Sequence, residues 1–293
     1  MCKWKCEGVC VVQKIAVVND MSGLGRCSLT AAMPVLSVLG TECCPLPTAV
    51  LSNQTGYDSF FCADLTDKMK AYIAEWRKRG IHFDGILTGY LASAEQADRI
   101  LAFLNEFKTE TTLYVCDPVM ADDGRVYDTY DDALCGKIAM LAARADVITP
   151  NLTELCILAG VSYETLTAES QSSTYMQKIA DTASALLGGS ARTVVVTSVR
   201  VQDEICNLIV TENGYSTVRS RRFGGSYSGT GDLFSAVLTG ELVRGNSVAF
   251  AVEKAVRFLE ASIAETYACG TDRNDGVNFQ NYLEMLLDEK VRP

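Results

Sequence analysis

The spacing of apolar and polar positions along this chain predicts strands and helices that alternate. Short apolar runs rich in β-branched residues indicate buried strands, at residues 11–18, 85–88, 112–116, 146–149 and 193–197. Apolar residues at helical spacing indicate helices, at residues 27–39, 65–80, 94–108, 133–144, 152–159, 175–187, 233–244, 247–267 and 279–289. Two further strands, 205–210 and 215–219, flank Asn213-Gly214, a dipeptide that favours a tight hairpin. This order predicts an α/β fold with a mostly parallel central sheet and helices on both faces.

Composition limits the class of protein. The chain has 293 residues, of which 48% are hydrophobic and 21% charged, so it can bury a large core. We expect one domain at 13–293 behind an N-terminal extension at 1–12, because no repeat, low-complexity tract or clear linker separates the elements. A net charge of −10 disfavours nucleic acid and anionic membranes as partners.

The cysteine and histidine content limits the chemistry further. The twelve cysteines are scattered without paired metal-binding spacing, and His82 is the only histidine. Histidine-based acid–base catalysis is therefore disfavoured. Neither a convincing signal peptide nor an apolar run of membrane-spanning length is evident, so we expect a cytoplasmic protein with reduced thiols.

The most informative segment is GTGD, in which Gly229, Thr230 and Gly231 run into Asp232 and then into a predicted helix. The unpaired N–H groups and the positive end of such a helix suit an oligophosphate. A carboxylate would repel that phosphate, yet it is useful if Asp232 accepts a proton from a hydroxyl group that attacks phosphorus. The alternative is a glycine hinge in which Asp232 only complements the charge of the helix end.

Polar residues end several predicted strands, and in parallel sheets these ends face one ligand cleft. They are Asn19-Asp20, Thr88-Gly89-Tyr90, Asp117, Thr149 with Asn151, and Thr197-Ser198. The two acids of CDPVMAD, Asp117 and Asp122, suit a cation beside a phosphate, and a simple Asp-Pro turn is the alternative. In TPNLTE, Glu154 suits the organisation of a metal ion, but Asn151 and Glu154 also match a helix capping box.

An ordered set of motifs resembles the vitamin kinases of the ribokinase-like superfamily, over residues 14–289. LSNQTGY at 51–57, LTGY at 87–90, DPVM at 117–120, TPNLTE at 149–154 and GTGD at 229–232 are similar to pyridoxal kinase motifs. Gln54 replaces the usual histidine of the first motif, and Ala121 stands where glycine is more usual. The segment NDMSGLGR at 19–26 is instead similar to hydroxymethylpyrimidine kinases, which have an acid followed by Ser-Gly-Gly-x-Gly.

The resemblance implies a ribokinase-like fold and an ATP-dependent kinase that phosphorylates the 5′-hydroxymethyl group of pyridoxal, pyridoxamine or pyridoxine. Asp232 is then the general base, beside the catalytic turn of Gly229, Thr230 and Gly231. The implied vitamin site comprises Asp20, Ser22, Leu51, Thr55, Tyr57, Tyr90 and Asp232. The implied ATP site comprises Asp117, Asp122, Thr149, Asn151, Thr197, Ser198, Ser228, Gly229, Thr230 and Gly231, and the implied metal site Glu154, Asp117 and Asp122. Mg²⁺, K⁺ as an additional cation, and a homodimer are implied likewise.

Three other functions stay open at this point. A hydroxymethylpyrimidine kinase of thiamine biosynthesis is favoured by Asp20, Ser22 and Gly23. A non-catalytic vitamin-binding protein on the same fold is a second alternative, against which the intact GTGD argues. A nicotinamide-dependent dehydrogenase would need G-x-G-x-x-G after the first strand, but Ser28 stands where the third glycine would be.

Overall fold

The computed structural model of the chain describes residues 5–6, 9–10, 12–168 and 170–287. Much of the expected extension at 1–12 therefore lies outside the described residues. Its described part contains two short antiparallel strands, β1 (Lys5–Cys6) and β2 (Val9–Cys10). The expected boundary at residue 13 stays a prediction.

Nine strands form the central sheet, in the order β13-β12-β11-β10-β7-β6-β3-β4-β5. Their bounds are β3 (Lys14–Ser22), β4 (Glu42–Leu51), β5 (Cys62–Asp64), β6 (Gly85–Thr88), β7 (Leu113–Cys116), β10 (Val147–Ile148), β11 (Thr193–Val201), β12 (Glu204–Thr211) and β13 (Gly214–Arg221). A separate two-stranded ladder joins β8 (Ala121–Asp122) to β9 (Arg125–Val126). The six central strands run parallel, and antiparallel strands lie at both edges. The predicted mostly parallel α/β sheet is confirmed.

Helices cover both faces of the sheet. They are α1 (Ser28–Val38), α2 (Thr66–Lys78), α3 (Ala94–Phe107), α4 (Asp132–Ala142), α5 (Leu152–Ala159), α6 (Tyr163–Thr167), α7 (Tyr175–Ser184), α8 (Thr230–Val243) and α9 (Val248–Ala268). Side chains of β3 alternate between two buried clusters: Ile15 and Val17 pack with α1, α8 and α9, whereas Ala16 and Val18 pack with α2 to α5 and α7. Because both faces are buried, the central strands appear as continuous apolar runs.

Several elements differ from the sequence-based prediction. Strand β4 was not predicted, and it contains Pro45 and Pro47, which are unusual in a strand interior. In the structure β5 pairs only with Ala49, Val50 and Leu51, so the prolines lie where one side of β4 has no strand partner. The predicted last helix, 279–289, is instead a 3₁₀ helix at Gln280–Leu286 within the described residues. The elements β5, β8, β9 and α6 were not predicted either.

The sheet register breaks at two strand ends that were predicted to form the site. Asn19 pairs with Pro47 and Met21 with Val50, so β4 has one extra residue opposite Asp20. A second break in β11 lies between Val196 and Val199, around the predicted Thr197-Ser198 pair. Bulges of this kind redirect side chains, and they are frequent beside active sites.

Candidate active site

A cavity of about 840 Å³ opens at the carboxyl ends of β3, β6, β7, β10 and β11. Almost all of the residues predicted to form the site line it. They are Asp20, Ser22, Leu51, Thr55, Tyr90, Asp117, Asp122, Thr149, Asn151, Glu154, Thr197, Ser198, Ser228, Gly229, Thr230, Gly231 and Asp232. The fold therefore brings predicted site residues that are more than 200 positions apart, such as Asp20 and Asp232, into one cleft.

The glycine turn before α8 packs directly on the first loop of the chain. Gly229 has φ +79°, and a Cβ built on it would lie 1.9 Å from the carbonyl oxygen of Arg26. No side chain fits there, and the left-handed conformation also favours glycine. The close contact fixes the start of α8, and with it Asp232, against the residues that precede α1.

Both oxygens of the Asp232 carboxylate are held by hydrogen bonds. Asn19 donates through Nδ2 to Oδ1 at 2.9 Å, and the backbone N–H of Ser28 donates to Oδ2 at 2.8 Å. The pKa of Asp232 is raised to about 6, chiefly by burial and also by the nearby Asp20 carboxylate, whereas the two hydrogen bonds oppose the shift. Asp232 is thus an oriented carboxylate with a greater proton affinity than an ordinary aspartate.

The N-terminus of α8 presents unpaired donors beside this carboxylate. The first backbone bond of the helix runs from Leu233 N–H to the Gly229 carbonyl, so the preceding N–H groups have no helical acceptor. Ser228 belongs to the implied ATP site, but its backbone N–H is not free for a phosphate. It donates to the Arg273 carbonyl at 3.1 Å. The donors at this helix end are therefore those of Thr230, Gly231 and Asp232.

Asp117 lies beside the first turns of α8, with Oδ2 at 3.6 Å from a Cβ built on Gly231. Its Oδ2 accepts a hydrogen bond from Ser235 at 2.9 Å, and the Ser235 hydroxyl is 3.2 Å from that of Thr149. Burial, with the charge of Asp232 adding to it, raises the pKa of Asp117 above the ordinary aspartate range. Asp117 and Asp232 therefore line the same cavity, and the charge of Asp232 disfavours the ionised form of Asp117.

Glu154 and Asn151 form the capping box that the sequence allowed as one interpretation. The Glu154 N–H donates to Asn151 Oδ1 at 3.0 Å, and Glu154 Oε2 accepts from the Asn151 N–H at 2.9 Å. Oε1 of the same carboxylate accepts from Met120 N–H at 3.1 Å. Burial and then the charge of Asp117 raise the pKa of Glu154, while these backbone donors oppose the shift. Glu154 is therefore a helix cap at the cavity wall, and a metal role would be additional.

No group of three or more His, Cys, Asp or Glu side chains that could hold a metal ion occurs among the described residues. Asp122 lies in the β8–β9 ladder, where its carboxylate accepts a hydrogen bond from the Asp123 N–H at 2.9 Å. Any divalent ion would therefore need oxygen ligands from a bound phosphate or from water in addition to these acids.

The acceptor end of the cavity centres on Asp20, a buried acid on β3. Asp20 and Ser22 lie on one face of the strand, and the intervening Met21 is exposed on the other. Asp20 Oδ2 accepts from Ser22 Oγ at 2.9 Å, and Oδ1 accepts from Ser28 Oγ at 2.6 Å. Burial raises the pKa of Asp20, and the two hydroxyl donors oppose the shift. Leu51 and Tyr90 add an apolar and an aromatic wall to the same end.

Tyr57 is the predicted site residue that does not line the cavity. Its hydroxyl donates to the Asp275 carboxylate, and the expected ring contact of Tyr57 stays a prediction. Asn274, the residue before Asp275, forms two more hydrogen bonds with the LSNQTGY segment. Gln54 Nε2 donates to the Asn274 carbonyl, and Asn274 Nδ2 donates to the Gly56 carbonyl. Tyr57 therefore anchors the loop that carries Thr55.

Several residues of the site were not assigned a role from the sequence. Asn19, marked only as a strand-end residue, donates to Asp232, and Ser28, at the start of α1, donates to both Asp20 and Asp232. Four arginines also line the cavity: Arg200, Arg221, Arg222 and Arg273. They come from distant segments without a motif, so no sequence pattern marked them. In the part of the chain that the structure describes, the Arg273 guanidinium forms no hydrogen bond or ion pair.

The family model for phosphomethylpyrimidine kinase matches residues 29–277. A pyridoxine/pyridoxal/pyridoxamine kinase from Bordetella avium is 32% identical over 262 residues, which cover 86% of this chain and 85% of that protein. A Bacteroides thetaiotaomicron protein assigned as a phosphomethylpyrimidine kinase superposes with a TM-score of 0.88 at 38% identity, covering 94% of both chains. Its orthorhombic form contains pyridoxal and superposes with a TM-score of 0.84 at 37% identity, covering 94% of this chain and 96% of that one.

Pyridoxal kinase from Lactobacillus plantarum superposes with a TM-score of 0.84 at 32% identity, covering 94% of this chain and 97% of that one. These matches extend over both ends of the cavity and agree with the ordered motifs. The chain belongs to the phosphomethylpyrimidine kinase family and, within the ribokinase-like superfamily, to the pyridoxal kinases.

Proposed function

We propose that this protein is an ATP-dependent kinase that phosphorylates the 5′-hydroxymethyl group of pyridoxal, pyridoxamine or pyridoxine. The observation that carries the proposal is the carboxylate of Asp232, held by two hydrogen bonds beside the open N-terminus of α8. The pyridoxal in the related Bacteroides structure supports the class of acceptor.

Asp232 acts as the general base. Each of its oxygens accepts one hydrogen bond from the protein, which leaves acceptor capacity for the hydroxyl group of the vitamin. A pKa of about 6 keeps Asp232 ionised at neutral pH and brings its proton affinity closer to the working range of a base. The carboxylate takes the hydroxyl proton as the oxygen attacks the γ-phosphorus in line.

The end of α8 stabilises the charge of the transferred phosphoryl group. The free N–H groups of Thr230 and Gly231 are preorganised donors, and the helix dipole adds to their effect. Because the chain has a net charge of −10, local cations are needed for a nucleotide, and Arg222 and Arg273 at the cavity wall suit that role.

The acids near this helix end suit Mg²⁺. The charge of Asp117 raises the pKa of Glu154, and the charge of Asp232 raises that of Asp117, so a cation between these acids and the phosphates would relieve their repulsion. We assign Asp117, Glu154 and Asp122 to that ion, directly or through water. When bound, Mg²⁺ neutralises the β- and γ-phosphates. The resemblance also favours activation by K⁺, which a comparison of rates in potassium and tetramethylammonium salts tests.

The vitamin ring binds at the other end of the cavity. Asp20 suits a polar group of the ring, because its carboxylate is buried and fixed by Ser22 and Ser28. The side chain of Tyr90 is half-buried and provides an aromatic surface, with Leu51 and Thr55 beside it.

Hydroxymethylpyrimidine is the second candidate acceptor. It is favoured by the family model for phosphomethylpyrimidine kinase and by the acid at position 20. A heteroaromatic ring with a hydroxymethyl group is common to both acceptors, so the same base and the same helix end would serve either.

The test is kcat/KM for pyridoxal, pyridoxamine, pyridoxine and hydroxymethylpyrimidine, measured side by side with ATP and Mg²⁺. The proposal predicts that a B6 vitamer is the best acceptor. Faster turnover of hydroxymethylpyrimidine than of every vitamer would replace the substrate assignment. Binding of a vitamer without any ATP turnover would instead support the non-catalytic alternative.

Two further proposals follow from the family resemblance. We propose a homodimer, which light scattering coupled to size-exclusion chromatography tests.

No helix in the described part of the chain is long and apolar enough to cross a membrane. We propose a cytoplasmic location, which cell fractionation tests.

A further inference from the structure

We infer that Ser28 is a positioning residue that couples recognition of the acceptor to the orientation of the base. The inference rests on the proposed function, because it takes Asp20 to face the acceptor and Asp232 to receive the proton. Ser28 was not among the residues that the sequence marked for either role.

Ser28 contacts both acids through different atoms. Its backbone N–H donates to Asp232 Oδ2 at 2.8 Å, and its Oγ donates to Asp20 Oδ1 at 2.6 Å. Ser22 holds only Asp20, whereas Asn19 binds Asp232 with its side chain and the Asp20 N–H with Oδ1. Ser28 is therefore the residue through which a shift of the Asp20 side chain reaches the Asp232 side chain directly.

The backbone of Ser28 is held in an unfavourable conformation. Its φ is +52°, in the left-handed region that residues with a Cβ seldom adopt, and the residue is buried. The segment just before Ser28 is tightly held, because Arg26 donates to the carbonyls of Gly276 and Val277, and its own carbonyl packs against Gly229. Strain of this kind persists where the surroundings over-determine it, and it concentrates at functional sites.

This geometry predicts linked effects at the two acids. Loss of the Ser28 hydroxyl removes a donor to the ionised form of Asp20, which raises the pKa of that acid and weakens its contact with the acceptor. Because the same residue carries the donor to Asp232, a looser Ser28 also lets the base leave its orientation. A serine that contacts only Asp20 should affect binding of the acceptor far more than the orientation of the base.

The experiment compares four variants in steady-state kinetics and thermal denaturation. Ser28→Ala and Ser28→Gly both lack the hydroxyl, but glycine also releases the left-handed strain. Ser22→Ala removes the other hydroxyl donor to Asp20, and Ser37→Ala is a control at an exposed position of the same helix. The acceptor KM is expected to rise roughly 10-fold or more in both Ser28 variants and in Ser22→Ala, as for loss of a hydrogen bond to a charged group.

The effect of Ser28 on Asp232 is distinguished from its effect on Asp20 by kcat. We expect kcat to fall several-fold in both Ser28 variants and much less in Ser22→Ala, and Ser28→Gly to unfold at a higher temperature than Ser28→Ala. A loss of activity in the more stable variant is not expected of a merely structural residue. The coupling would be overturned if kcat fell equally in Ser28→Ala and Ser22→Ala, with equal rises in KM. It would also be overturned if Ser28→Gly kept the parental kcat. Asp232→Asn is measured in parallel: if it keeps the parental kcat, the base assignment fails and the coupling with it, whereas its inactivation leaves the Ser28 comparison decisive.

Discussion

The side-chain amide of Asn19 donates a hydrogen bond of 2.9 Å to Oδ1 of Asp232, although 213 positions separate the two residues in the chain. Oδ1 of Asn19 accepts the backbone N–H groups of Asp20 and Tyr90, which fixes the orientation of the amide. The carboxylate at the start of α8 is thus oriented by the end of β3. This relationship gives the proposed chemistry several measurable consequences.

Asp232→Asn should abolish most of the chemical step while ATP still binds. A general base contributes typically about 10²–10⁴-fold in rate, and the amide cannot take the proton of the hydroxyl. Steady-state kcat and a nucleotide-binding titration measure the two properties. A kcat within about threefold of the parent would refute the assignment of the base.

The rate should depend on the ionisation of Asp232. Only the carboxylate accepts a proton, and its pKa in the ligand-free protein is raised to about 6, so kcat/KM for the vitamin should fall as the pH drops through about 6. Asn19→Ala removes a donor to the charged form, which raises the pKa of Asp232 and moves the midpoint of the kcat/KM–pH profile upward. A midpoint that stays in place, or one that moves downward, contradicts this electrostatic account.

Asp117→Asn should stabilise the ligand-free protein at alkaline pH. The folded-state pKa of Asp117 lies above its unfolded value, so its contribution to stability is present at low pH and is lost as the pH rises. The gain in Tm should therefore be clear at pH 8 and shrink towards pH 4, at about 2–4 °C per kcal/mol. Asp58→Asn, at an exposed position, is the control and should show no such dependence.

Glu154→Gln should raise the Mg²⁺ concentration that gives half-maximal activity, without changing the vitamin KM. Glutamine keeps an acceptor oxygen for one of the two backbone contacts of Glu154, and it lacks the charge that suits the ion. A titration of activity with Mg²⁺ measures this, and high Mg²⁺ should partly restore the rate. Lower thermal stability with an unchanged Mg²⁺ titration would mean that Glu154 acts as the helix cap alone.

Tyr90 and Tyr57 should differ in their effects, although both belong to tyrosine motifs. Tyr90→Ala removes an aromatic wall of the cavity, which costs about 1–3 kcal/mol, or roughly 5–150-fold in vitamin KM, with ATP KM unchanged. Tyr57→Phe removes only the hydrogen bond to Asp275 outside the cavity, so its vitamin KM should change less. A larger effect of Tyr57→Phe than of Tyr90→Ala on the vitamin KM would support a direct contact between Tyr57 and the ring.

The sequence predicted the parts of the molecule that local rules determine. The glycine turn before Asp232, the capping pair Asn151 and Glu154, and the strand ends follow from backbone geometry and periodicity. Tyr57 shows the limit of such rules, because its motif specifies a loop but not the direction of a side chain whose partner, Asp275, lies more than 200 positions away. Ser28 shows the same limit, since no local sequence pattern marks its left-handed backbone or its hydrogen bond to Asp232, 204 positions away.

The contact between Gly229 and the Arg26 carbonyl also determines how much sequence variation the catalytic segment can tolerate. A saturation library at position 229 that is selected for growth on the vitamin should return glycine alone, because every side chain would overlap the carbonyl. Gly225, in the same glycine-rich stretch, has no atom within 4 Å of its built Cβ, so many residues should survive selection there. Variants of this protein can therefore differ in sequence at Gly225, before the turn, whereas Gly229 in the turn itself must stay glycine.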